Sequence, residues 1–74
     1  MMTLIQKRVL VVDNEDSVRA GLELQLTEVG WHALTTWSGL EALGILKSIP
    51  FDVLLVGDYL PDLHIGEFLK QVQS

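Results

Sequence analysis

The chain has no cysteine. Disulfides are therefore excluded, and so is any cysteine-ligated zinc or iron–sulfur site. Basic residues are few: Lys and Arg number 5 against 10 Asp and Glu, for a formal net charge of −5. A protein that grips a phosphate backbone needs a basic face, so this segment is not expected to bind nucleic acid. Long apolar runs are missing too. The longest hold about five residues, whereas a membrane-spanning helix needs ~20. The opening Met1-Met2-Thr3-Leu4-Ile5-Gln6-Lys7-Arg8 lacks the long apolar run of a signal peptide. The expectation is a cytoplasmic protein with no membrane contact.

What is present is a hydrophobic fraction of 49% in only 74 residues. That fraction argues against disorder, and the length allows one domain. A chain this small buries only roughly 60% of its unfolded surface, so its core is marginal. Small scaffolds usually add disulfides, a metal or a partner chain. With disulfides excluded, the metal and the partner remain.

Val9-Leu10-Val11-Val12 is an apolar run with no polar alternation, which reads as a strand buried on both faces of a parallel sheet. It stops at Asp13-Asn14-Glu15-Asp16. Val18, Leu22, Leu26 and Val29 then recur at helical spacing, with Asp16 or Ser17 as cap and Gly30 where a left-handed C-terminal residue belongs. Trp31-His32-Ala33-Leu34-Thr35-Thr36-Trp37 is rich in β-branched and aromatic residues and reads as a second strand. Ser38-Gly39-Leu40-Glu41 has the capping-box pattern and opens a second helix. Phe51-Asp52-Val53-Leu54-Leu55-Val56 is a third strand, and Phe68, Leu69 and Val72 mark one face of a final helix. The spacing predicts strands at about 8–12, 32–36 and 52–56, and helices at about 17–29, 39–48 and 65–73, in one domain over 1–74. This βαβαβα order implies an α/β fold, with helices packed on the faces of a parallel three-strand sheet.

In such sheets ligands bind beyond the carboxyl ends of the strands. The residues there are Asp13, Asn14, Glu15 and Asp16, then Trp37 and Ser38, then Gly57 and Asp58. Phosphate-cradling loops need glycines, and the first loop is acidic and glycine-free, which disfavours nucleotides and flavins. Carboxylates beside amide oxygens suit Mg²⁺, although the same acids serve equally to cap the first helix. Arg19 is positioned to pair with Glu15 or Glu23 on the first helix. Trp31 and Trp37 read as core or rim packing, Lys47 and Lys70 as solvated positions, and His64 as a surface loop residue.

Val9-Leu10-Val11-Val12-Asp13 with the acidic loop and helix after it resembles the start of a response-regulator receiver domain. Trp37-Ser38-Gly39-Leu40-Glu41-Ala42-Leu43 is similar to that family's second strand-to-helix junction. Phe51-Asp52-Val53-Leu54-Leu55-Val56, Leu60-Pro61-Asp62 and Glu67-Phe68-Leu69 resemble its third strand, the following loop and the third helix. The resemblance runs from Lys7 over nearly the whole chain. It implies a flavodoxin-like fold of strand order 2-1-3. It also implies phosphoryl transfer from a histidine kinase onto an aspartate after the third strand, with Mg²⁺ held by that aspartate and by acids after the first strand.

The sequence departs from that pattern. Asn14 stands where the second acid of the pair is usual, which removes a charge and weakens Mg²⁺ binding; Glu15 and Asp16 are possible auxiliary acids. Gly57 occupies the acceptor position, a register fixed by Asp52 before it and Pro61 after it. Asp58 is adjacent, but neighbours on an extended strand face opposite ways, so it reaches the pocket only through a bend at Gly57. The metal set the resemblance implies is thus Asp13, Asn14 and Asp58. The family's fourth-strand hydroxyl and fifth-strand lysine have no counterpart before Ser74. The expectation is a degenerate, partial receiver that is not an enzyme and acts by protein–protein contact. With its third strand at a sheet edge, it is also expected to form a homo-oligomer. The alternatives are a phosphoacceptor that uses Asp58 with Mg²⁺, and a small α/β ligand-binding protein.

Overall fold

The computed structural model describes residues 7–74. The reading that Met1–Gln6 carry no signal peptide lies outside the described residues. Three strands and three helices alternate: β1 (Arg8–Val12), α1 (Asp16–Glu28), β2 (His32–Thr36), α2 (Gly39–Ser48), β3 (Val53–Val56) and α3 (Ile65–Gln73). The sheet is parallel with order β2-β1-β3, the order the resemblance implies. Central β1 explains the unbroken apolar run, because Val9, Leu10, Val11 and Val12 are each at most 1% exposed.

The pleat sends alternate side chains to opposite faces. Leu10 and Val12 face α2 and α3 and join Ala42, Leu60 and Phe68 in the core, with Leu54, Val56, Leu46 and Val72 packed around them. Val11 faces the other way, toward Leu22 of α1. Helix α1 packs over β1 and β2 and buries no residue completely. Among the described residues, no helix is long and apolar enough to cross a membrane.

Several sequence readings need correction. Helix α1 begins at Asp16, one residue early, and its N-cap is Glu15, whose side chain makes no capping bond. The turn is held instead by Asp13, whose Oδ1 accepts from the Glu15 amide at 2.9 Å. Val29 lies past the helix and is 62% exposed, so it leaves the apolar face formed by Val18, Leu22 and Leu26. Strand β3 begins at Val53, because Asp52 also pairs through its side chain: its amide donates to Arg8 O, and its Oδ2 accepts from Arg8 N. Arg19 pairs with Asp16, one turn before it, and not with Glu15 or Glu23. Leu69 is exposed while its neighbour Phe68 is buried, since consecutive helical residues differ by about 100° in direction. Trp37 is 51% exposed and belongs to the surface, whereas Trp31 is half-buried.

The helix ends follow local chemistry. Gly30 adopts φ 88°, the left-handed residue that ends α1, and its amide donates to Thr27 O. Half of the capping box at α2 forms as expected, with Ser38 Oγ accepting from Glu41 N. The Glu41 carboxylate bonds the Thr36 hydroxyl instead of the Ser38 amide, and Thr36 Oγ1 accepts from that amide. His64 caps α3, its Nδ1 accepting from Gly66 N at 3.1 Å.

Candidate functional site

Parallel strands deliver Asp13, Trp37 and Gly57 to one end of the sheet. Val12 pairs with both Thr36 and Val56, so Asp13 stands between the other two. The Gly57 amide donates to Val12 O at 2.8 Å, which holds residue 57 beside the start of the acidic loop. A Cβ built on Gly57 would lie 2.6 Å from Asp13 Oδ2 and 3.1 Å from its Cγ. The Asp13 carboxylate therefore fills the space a side chain at position 57 would need. A small cavity of about 90 Å³ adjoins it, lined by Val11, Asp13, Leu22, Leu55 and Gly57 among others.

The rest of the acidic loop turns outward. Asn14, Glu15 and Asp16 are exposed, and Asp58 is exposed after Gly57. Arg19 reaches back from α1, its Nη1 donating to Asp13 O at 2.6 Å and its other terminal nitrogen pairing with Asp16. A guanidinium thus lies against the loop. Among the described residues, no three His, Cys, Asp or Glu side chains converge to hold a metal ion. Mg²⁺ demands near-octahedral oxygen ligation. Of Asp13's three oxygens, Oδ1 and the carbonyl already accept hydrogen bonds and Oδ2 lies over Gly57.

A second constellation at the same end was not foreseen from sequence. Asp62, in the loop after β3, accepts from Ser38 Oγ at 2.6 Å, Gly39 N at 2.9 Å and Leu40 N at 3.2 Å. It seals the N-terminus of α2, where unpaired amides and the helix dipole favour an anion. The Ser38 hydroxyl above all, helped by the Gly39, Leu40 and Asp62 amides, holds its carboxyl below the usual 3.8, against an opposing push from burial that outweighs any one of those amides. The local signal was only the Ser38 capping pattern. Asp62 lies 24 residues away, and nothing near it announces the partner.

A cavity of about 480 Å³ lies away from these loops, between the ends of α2 and α3. Leu46, Phe51 and Val72 line it, with Lys47 its one charged side chain. It holds no acid–base pair for catalysis, so the loop end carries the candidate site.

No family model matches the chain. Individual proteins do. Over 66 residues it is 30% identical to "Response regulator RR06" of Streptococcus pneumoniae serotype 2, covering 89% of this chain and 30% of that protein. Its homologues are response regulators. The chain is also 34% identical over 58 residues to "Probable transcriptional regulator ycf27" of Guillardia theta, covering 78% of this chain and 23% of that one. In three dimensions it matches the chemotaxis response regulator CheY4 of Vibrio cholerae with TM-score 0.89 and 30% identity. That match covers 93% of this chain and 57% of the CheY4 chain. The flavodoxin-like, receiver-type fold is thereby shown. The chain spans less than a third of the length of the curated relatives it matches.

Proposed function

We propose that this chain is a cytoplasmic receiver-like module of two-component signal transduction that acts by protein–protein contact and not by phosphorylation of an aspartate. One observation carries the reading. The residue after β3 is Gly57, and the Asp13 carboxylate lies in its side-chain space. Glycine offers no nucleophile to a phosphoryl donor. Incubation with acetyl phosphate and Mg²⁺, followed by intact-mass measurement, is expected to give no adduct. A stable adduct that disappears in Asp58→Ala overturns the reading and favours the phosphoacceptor alternative.

The partners are signalling proteins, a histidine kinase among them, and a second copy of this chain at β3. Among the described residues β3 is a sheet edge. Gly57 N points to β1, so by alternation Leu55 N does too, and Leu54 and Val56 present their amides and carbonyls outward. Such an edge pairs readily with another strand. An antiparallel pair centred on Leu55 would bury that side chain, now 37% exposed, against its copy. The same register sets Asp52 opposite Asp58 of the second copy, so salt should strengthen the dimer. Sedimentation velocity should show concentration-dependent dimer that rises with salt and is lost in Leu55→Lys. A folded monomer at high concentration and high salt counts against pairing.

A further inference from the structure

We infer that Asp13 is a structural residue of the turn between β1 and α1, and that the pocket it fills works without a divalent cation. The bond from Glu15 N to Asp13 Oδ1 closes a turn in which the side chain stands in for a backbone carbonyl. That turn fixes the backbone of Glu15, the N-cap residue, whose own side chain makes no capping bond. Asp13 O takes the Arg19 guanidinium, which ties the second turn of α1 to the end of β1. Asp13 Oδ2 lies over Gly57, where a Cβ would approach to 2.6 Å.

Two of the three Asp13 oxygens thus carry protein hydrogen bonds, and the third, Oδ2, lies over Gly57. The cation nearest the loop is built in: Arg19 pairs with Asp16 and has a side chain only 16% exposed. A divalent ion at Oδ2 would have to approach that guanidinium and collect further oxygens from Asn14 and Asp58, which are exposed, with no side chain at position 57 to help hold it. The Asp13 carboxylate occupies the space that a side chain at position 57 would need. The inference shares this pocket with the proposed function but is read by metal response and stability, so it stands or falls apart from phosphorylation or pairing.

The test uses the full chain at equal ionic strength with either millimolar Mg²⁺ or EDTA. The melting temperature should be the same in both. The amide resonances of Asp13, Glu15 and Gly57 should not move with Mg²⁺. Asp13→Ala should lower the melting temperature, and Asp13→Asn, which keeps an oxygen for the Glu15 amide, should recover most of the loss. Saturable Mg²⁺-dependent shifts at Asp13 and Gly57 in the unaltered chain overturn the inference. So does a rise in melting temperature in Asp13→Ala, the result expected when one acid is removed from a repulsive metal site. Should Asp13→Ala fail to fold, the Asn variant decides: near-normal stability supports the turn, and unfolding overturns it.

Discussion

Asp62 and Ser38 are 24 residues apart in the chain, yet the Ser38 hydroxyl donates to the Asp62 carboxylate at 2.6 Å. Through this contact the loop after β3 is fastened to the start of α2. Gly39 allows the approach, since a Cβ there would come within 3.0 Å of the Leu60 side chain, which sits in the core just before that loop. One carboxylate therefore ties the loop that leads into α3 to the start of α2.

Replacing Asp62 by Ala removes one acceptor from a hydroxyl and two amides. The expected loss is about 0.5–2 kcal/mol, the range for a lost helix cap. Chemical denaturation of the two proteins under matched conditions measures it. A change within a few tenths of a kcal/mol would mean that water replaces Asp62 at little cost.

The same residue predicts a pH dependence. Its folded-state carboxyl lies below the usual 3.8, so the ionised form is favoured by folding. Its contribution is complete above the unfolded-state value of about 3.8 and is lost as pH falls through the lower folded value. Melting temperature followed downward from neutral pH should fall in that acid window. Asp62→Asn should flatten the fall, and an unchanged profile in that variant would assign acid sensitivity to other groups.

Gly30 is at φ 88° with open space around its Cα, so an added methyl meets strain but no clash. Gly30→Ala should cost about 1–2 kcal/mol, the penalty for an L-residue in the left-handed region. Gly30→Asn should cost less, because Asn tolerates that region. Equal stabilities of all three proteins would show that the chain leaves α1 in another way.

Phe68 is fully buried in the core, between the sheet and α2. Phe68→Ala should remove about 3–5 kcal/mol. A domain this small has a total stability of similar size, so the variant should be largely unfolded at ambient temperature. Far-ultraviolet circular dichroism would show it. Retained helix content with cooperative melting would mean that a further contact supplies stability.

Much of the fold was legible because local rules and the fold agree. The unbroken run Val9–Val12 requires burial on both faces, and β1 is the central strand. The Ser38 cap and the left-handed Gly30 obey chemistry contained within a few residues, so sequence placed them correctly. Errors gathered where a residue's partner lies elsewhere. Asp52 belongs to Arg8 through its side chain, which shortens β3, and the exposed Trp37 has no core to join. The candidate site followed the same division. Gly57, at the position where the resemblance implies an acceptor, was legible in one dimension through its neighbours Asp52 and Pro61.

Sequence by itself determined the element order, the apolar centre and the absence of disulfides. These depend on composition and on periodicities set by backbone geometry. Only the tertiary structure decided that Asp13 turns over Gly57, that Arg19 lies against the loop, and that Asp62 closes α2. Side-chain polar groups go to whichever donors the packed strands and helices leave unpaired, and those donors are defined only once the chain has folded.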